Sequence, residues 1–507
     1  MAVSQSGRAQ GGRTFFGHPW GLATLFFTEM WERFSFYGMR SLLVLFLAAP
    51  VAQEGMGLSD GTASAVVGVY QGMVYFVALP GGWIADRILG ARRSVLWGGV
   101  VIMSGHISLA IPGDAFVWIG LVLIVIGTGL LKPNISTMVG FLYRGEEEAR
   151  RDAGFSIFYM GINLGGFVAP FITGTLGQNV NWHLGFATAA VGMALGLIQY
   201  VLGGRGLGEA GLKPTNPAPP QTHRRFYLLL VATAVGLVVV GGLSAAVGWF
   251  SVDNVTYAIA VFAVLTTVGF FFYVFRGKHG LTPVERSNMR AYIWLFTAAA
   301  IFWMIYDQAA SVLSLFAQDN TDLSVFGWDM PSSWTQSINP VMIIALAPVF
   351  AALWVGPGRR FSTPAKFASA LILVGGSYVV MALVQSFADS GVKVTVLWMV
   401  LVYFLQTCGE LALSPVGLAI TTKLAPAKLA SQMLGAWFLA TAVGDAIGGQ
   451  MARLKGTVLS GPMYFLFLGL LAVLAGIALF MFVTRLRALM GENEEEAAAA
   501  QAGPPTA

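Results

Sequence analysis

FTEMWERFSFYGMR, residues 27–40, sets Glu29, Glu32, Arg33 and Arg40 at the head of a strongly apolar run, SLLVLFLAAP. Ionisable groups inside a membrane span are costly and mark function by default. Helical geometry tells where these four point. Glu29, Arg33 and Tyr37 form an i, i+4, i+8 row, Arg40 follows three residues on, and Glu32 and Phe36 flank the row. At about 100° per residue they all fall within an arc of about 140°. One face of this helix is therefore polar, and it must point into a bundle or a wet cavity. The competing structural explanation is an ion-pair cluster that only locks helices together.

The rest of the chain supplies the membrane context. Of its 507 residues 56% are hydrophobic and 10% charged, where a soluble domain carries about 25% charge. The 62 glycines are spread through the apolar runs, which suits close helix packing in lipid. A single cysteine, Cys408, rules out an internal disulfide. The polar, Gly-rich, weakly basic first 14 residues do not resemble a cleavable signal peptide.

A span needs roughly 20 apolar residues. Such runs are expected at 20–48, 62–85, 94–112, 115–142, 153–176, 183–203, 226–249, 254–275, 291–317, 335–355, 366–387, 394–421, 430–451 and 461–484, which makes 14 helices. The basic residues test that order. Of the 29 Lys and Arg, only Arg33, Arg40 and Lys132 fall inside spans. One set of alternate loops holds only Lys393, Arg453 and Lys455. The N-terminus, the other loops and the C-terminus hold the rest, among them Arg87, Arg92, Arg93, Arg150, Arg151, Arg224, Arg225, Arg359 and Arg360. This bias puts both termini in the cytoplasm. It also accounts for the net charge of +5 without a nucleic-acid partner.

The Gly- and Pro-rich stretch 203–225, LGGRGLGEAGLKPTNPAPPQTHRR with its preceding residue, looks like a linker between two bundles. The tail from Glu492, ENEEEAAAAQAGPPTA, reads as a frayed helix end running into disorder. The expected organisation is a tail at 1–19, a six-helix bundle at 20–203, a linker at 204–225, an inserted helix pair at 226–275, a linker at 276–290, a second six-helix bundle at 291–484 and a tail at 485–507. A weak internal repeat supports two related halves. VALPGGWIADRILGARRS (77–94) aligns without gaps on IALAPVFAALWVGPGRRF (344–361), and GTGLLKP (127–133) on GELALSP (409–415). Repeats of this kind are a transporter signature, with the substrate site at their interface near the midplane.

Eight ionisable groups lie deep in the expected spans: Glu29, Glu32, Arg33, Arg40, Lys132, Asp307, Glu410 and Asp445. Five carboxylates face three cations, so at least two acids lack a partner if all are ionised. Burial favours the neutral form of an unpaired acid, which suits the set to take up and release protons. Asp307 is one turn after Trp303 and one before Ser311, on a mixed face. Glu410 is one turn before Ser414-Pro415, beside an expected kink. Asn163 and Asn339 each sit beside Gly or Pro in an apolar run; taken singly, such groups more often join helices than bind ligands. Trp303 and Trp437, taken singly, are more often core or lipid-interface residues than pocket walls.

TEMWERF with Tyr37 and Arg40 resembles the ExxER first-helix motif of the proton-dependent oligopeptide transporter family, within the major facilitator superfamily. GGWIADRILGARR is similar to the superfamily's loop between helices two and three. GLLKPNISTMVGFLY, FSIFYMGINLG, FWMIYDQ, SINPVMIIALAPVFAALW and GELALSPVGLAITTKLAP resemble the family's helices in order, over roughly residues 20–450. An inserted helix pair is also typical of its bacterial members. The resemblance implies that Arg33 and Lys132, helped by Tyr37, bind a peptide's C-terminal carboxylate. Glu410 would take the N-terminal ammonium, with Asn163 and Asn339 as polar partners, and Tyr70, Trp303 and Trp437 would line side-chain pockets. Glu29 and Glu32 would join Arg33 and Lys132 in proton coupling, and Asp307 would pair with Arg40 and exchange protons. Two positions depart from the pattern: Phe36 stands where the family commonly has a second tyrosine, and Asp307 where it usually has glutamate. Asp445 belongs to no part of the pattern.

The expectation is thus an all-α membrane protein of the major facilitator superfamily fold, a monomer in the lipid of a bacterial inner membrane. It would import di- and tripeptides by proton-coupled symport, with no cofactor beyond the coupling protons and no metal. The alternative within the family is a symporter of nitrate or another small organic solute, but an anion has no use for Glu410. A polytopic enzyme is disfavoured because no HExxH motif or Ser-His-Asp arrangement is present, and a receptor because no sizeable soluble domain exists.

Overall fold

Apolar segments of this length satisfy their backbone polar groups only as helices once in lipid, and polar caps mark where four of them begin. Ser59 accepts from the Thr62 amide, Asn181 from His183 and Leu184, and Ser251 from Asn254. Thr282 and Glu285 form a reciprocal capping box ahead of Pro283. The computed structural model describes residues 14–277, 280–325 and 327–491; the expected tail at 492–507, and residues 1–13 of the N-terminal tail, lie outside the described residues.

Helices cover all fourteen expected segments among the described residues. They are α1 Trp20–Ala48, α2 Asp60–Ile84, α3 Ala91–Leu109, α4 Asp114–Leu142, α5 Glu148–Ala169, α6 Trp182–Leu202, α7 Pro220–Ala246, α8 Val252–Arg276, α9 Pro283–Tyr306, α10 Ile338–Val355, α11 Thr363–Asp389, α12 Leu397–Leu424, α13 Ala430–Ala452 and α14 Gly461–Met481. Eleven segments among the described residues are long and apolar enough by composition to cross a membrane. α1 is outside that group although it is buried along most of its length; its four charges set it apart.

α1 packs on α5 and α6, and α3 on α4 and α6, to form the first bundle. α9 packs on α11 and α13, and α11 on α12 and α14, to form the second. The bundles meet chiefly where α2 lies against α13 and α5 against α10. α7 buries none of its side chains, and α8 touches α2 and α13 along a narrow row of small residues, Thr256, Ala260, Ala263 and Thr267. The inserted pair is therefore peripheral. It is pinned at one end, where Arg453 reaches Asp253 and donates to Thr256 at 2.8 Å.

Two expectations change. α9 does not run on as one α-helix through Ser311: it ends at Tyr306, and a 3-10 turn, Asp307–Ala310, precedes a new helical segment, Val312–Asn320. Asp307 is thus at a helix break and not on a continuous mixed face. The stretch after α6 is also more than a flexible linker. It docks on the loop between α2 and α3: Arg92 donates to the carbonyls of Gly204 (2.6 Å) and Gly208 (2.8 Å), Thr215 to Asp86 (2.8 Å), and the Ala218 amide to Arg87 (2.9 Å).

Candidate substrate-binding site

The bundles are tied together on the face away from Trp20. Gln178 donates to Ser332 at 2.8 Å and accepts from the Ser333 amide at 3.0 Å. Trp334 donates to Thr175 at 3.0 Å and Ser337 to the Phe167 carbonyl at 2.9 Å. Phe171 stands edge-on to Trp334. Below this seal lies a hollow walled by Tyr37 and Arg40 of α1 and by Tyr306, Gln336, Asn339 and Tyr403 of the second bundle. Past Pro340, α10 buries nothing more, as a helix between a cleft and lipid would.

The first-bundle charges gather on one side. Arg33 bonds Glu32 and lies 3.2 Å from Glu29, all three nearly inaccessible to solvent. Arg33 Nη2, Glu29 Oε2 and Glu32 Oε1 find no partner among the described residues, so the cluster retains an unpartnered donor nitrogen and two unpartnered acceptor oxygens. Lys132 stands 4.0 Å over the Tyr75 ring and has no carboxylate within 4.0 Å among the described residues. Its position follows from glycine. A Cβ on Gly81 would meet the Gly129 carbonyl oxygen at 1.9 Å, so only glycine lets α2 and α4 approach closely enough to bring Lys132 onto Tyr75.

The second bundle presents the opposite charge. Glu410 accepts from the Tyr306 hydroxyl and from Asn339 at 3.2 Å, and Asn339 also donates to Thr407 at 3.0 Å. No cation pairs with Glu410 among the described residues. Between the poles, Arg40 holds Asp307 at 2.6 Å, and Tyr37 lies within electrostatic range of Arg33, Arg40, Asp307 and Glu410.

The structure therefore gathers Glu29, Glu32 and Arg33 in one cluster, pairs Arg40 with Asp307, and joins Asn339 to Glu410. Asn163 is not joined to them: its amide donates to Tyr159 of its own helix at 3.2 Å. Tyr70 is buried in the apolar core, stacked on Phe36. Trp437 is buried against Gly417 and Phe367. Trp303 lines a second, smaller hollow. Two tyrosines stand at the poles besides the residues expected from sequence. Tyr306 immediately precedes Asp307 in FWMIYDQ, so a polar tip next to a span carboxylate was the available signal; Tyr75, in an apolar run, offered none.

A model of the POT family matches residues 92–460. The chain is 44% identical to "Uncharacterized transporter YclF" of Bacillus subtilis (strain 168), covering 94% of this chain and 96% of that one. It is 38% identical to "Di-/tripeptide transporter" of Lactococcus lactis subsp. cremoris, covering 95% and 98%. Among solved structures, "peptide transporter POT in complex with sulfate" superposes with a TM-score of 0.91 at 44% identity, covering 94% of this chain and 97% of that one. "POT family transporter in complex with 5-aminolevulinic acid" gives 0.88 at 37%, covering 93% and 98%. These proteins are transporters and not enzymes, the helices make this chain a multi-pass membrane protein, and the family resemblance is borne out: the chain belongs to the POT family, with the major facilitator fold.

Proposed function

We propose that this protein is a proton-coupled symporter that imports di- and tripeptides by alternating access across a bacterial inner membrane, with both termini cytoplasmic. One observation carries it: Lys132 on the first bundle and Glu410 on the second are opposite charges with no ionic partner among the described residues, half-buried on two sides of the bundle interface. A zwitterion supplies both missing partners, and a plain anion supplies one. The printed names of relatives, which include di-/tripeptide transporters, agree with that choice.

In this mechanism the peptide carboxylate meets Lys132, the free Nη2 of Arg33 and the Tyr37 hydroxyl. Its ammonium meets Glu410, which Tyr306 and Asn339 orient. Broad selectivity follows because only the ends are read by charge while the side chains meet surfaces that can re-pack; Trp303 lines the smaller hollow, and Tyr70, Trp437 and Asn163 would need a different conformation to take part. Glu29 and Glu32 compete with the substrate for Arg33, so a proton on either acid frees the guanidinium. Arg40–Asp307 ties α1 to the break after α9, across the bundles, near the sealed end. A proton on Asp307 weakens that tie. It biases the two-state equilibrium by its differential affinity for the two conformations.

Reconstituted protein should accumulate dialanine when an inward proton gradient is imposed. Equal uptake with and without the gradient would remove the coupling; gradient-driven uptake of nitrate but not dialanine would select the other substrate.

A further inference from the structure

Asp445 sits in the middle of α13, in ATAVGDAIGGQ, where small residues allow close packing on two sides. A Cβ on Gly68 of α2 would meet the Asp445 carbonyl oxygen at 2.6 Å and Gly449 Cα at 2.7 Å. Gly444 and Gly448 face the backbone of Ala300 and Met304 on α9 just as closely. α13 is thus clamped between helices of the two bundles. Asp445, buried, lines a small hollow with Gln71, Trp303, Asp307, Gln308 and Ser311.

Among the described residues neither Asp445 oxygen meets a donor, and Asp307 Oδ2 is also free. Asp307 Oδ1 is held by Arg40. The two carboxyls line the same hollow, and since carboxylates only accept, a hydrogen bond between them requires a proton on one. The charged groups facing Asp445 are Asp307, Arg40 from α1 and Lys132 from α4; α2 adds Tyr75. α8 meets α13 here through Ala260 and Ala263, while its Asp253 is engaged by Arg453 at the helix end.

We propose that Asp307 and Asp445 form a carboxyl pair that binds one coupling proton between them, which makes Asp445 a proton-binding residue of the transport cycle. The inference rests on the proton-coupled function proposed above. Without the proton, Arg40, Asp307 and Asp445 together carry one net negative charge. A hydronium ion gives its proton to one carboxylate and leaves as water; the new O–H donates to the other carboxylate, and the set becomes neutral. That bond draws Asp307 toward Asp445, within its own bundle, and away from Arg40 on the other. Proton binding is thereby converted into the loss of a tie between bundles, and proton release restores it.

The test compares wild type, Asp445→Asn and Asp445→Glu in liposomes, reading gradient-driven dialanine uptake and dialanine counterflow across a pH series. Asp445→Asn is expected to impair gradient-driven uptake more than counterflow, and to lower its half-maximal pH by about one unit or more, because Asp307 loses a like-charged neighbour. Asp445→Glu should keep the wild-type profile within a few tenths of a unit. A profile for Asp445→Asn that superimposes on wild type overturns the proposal, and so does equal loss of both activities in Asp445→Asn, which would make the acid structural. If wild type itself ignores the gradient, the coupled-transport function fails instead. The pair is then decided by infrared titration of the purified protein, where one carboxylic acid band that Asp445→Asn shifts supports it and a band unaffected by the substitution overturns it.

Discussion

Glu410→Gln removes one charge and almost nothing else. The amide oxygen can still accept from Tyr306 and Asn339, so the side chain keeps the hydrogen bonds that orient it. A peptide ammonium and a carboxylate about 4 Å apart attract by about 4 kcal/mol at an effective dielectric constant near 20. Glu410 is only half-buried, and solvent screening brings this to about 2 kcal/mol. At 1.4 kcal/mol per decade, dialanine should bind about 30-fold more weakly. N-acetyl-dialanine has no ammonium, so it should change by less than about threefold. The assay is competition by each peptide for uptake of a labelled dipeptide into proteoliposomes, in wild type and variant. Equal loss for the two peptides would refute the ammonium assignment and make Glu410 a structural or proton-binding group.

The other predictions test separate parts of the molecule. Asp307→Asn should impair gradient-driven uptake more than counterflow, because it removes the carboxylate that Arg40 holds and leaves the charge poles in place; the opposite order would move the coupling site elsewhere. Lys132→Gln should raise the half-saturating concentration of dialanine by about tenfold or more, the size expected for a charge-assisted hydrogen bond, and an unchanged value would take Lys132 out of substrate binding. Gly81→Ala, whose Cβ would meet the Gly129 carbonyl at 1.9 Å, should destabilise the protein by about 1–3 kcal/mol, read as a lower midpoint of thermal unfolding in detergent; a midpoint equal to wild type would mean that α2 and α4 can separate freely. Arg453→Ala frees Asp253 and Thr256. It should loosen α8 and speed its backbone hydrogen exchange while sparing dialanine uptake, and lost uptake would give the inserted pair a role in transport.

Much of this architecture was legible because a lipid solvent leaves few choices. Fourteen apolar runs became helices, and the charges that violate the apolar rule on α1, α4, the turn after α9, α12 and α13 face inward. The row Glu29, Arg33, Tyr37 and Arg40 gave its face from spacing alone. The 3-10 turn at Asp307 was hidden, since no Pro or Gly announces it; what breaks the helix there is tertiary, with Gln71 and Gln336 donating to the carbonyls of Asp307 and Ala309. The contact of Lys132 with Tyr75 could not be read either, because it depends on two glycines on different helices meeting. Asp445 stands out in the sequence as a buried acid, but its surroundings depend on how α13 is clamped between α2 and α9. Peptide-pocket residues were the least legible: Tyr70 and Trp437 are aromatic groups in apolar helices, and only packing decides whether such a ring faces core or cavity.

The most direct test is a structure of the protein with dialanine bound. The charge-pole account predicts one peptide bridging the interface, its carboxylate within hydrogen-bonding distance of Arg33 and Lys132 and its ammonium on Glu410. A peptide that touches only one bundle, or that lies reversed with its carboxylate at Glu410, would contradict it.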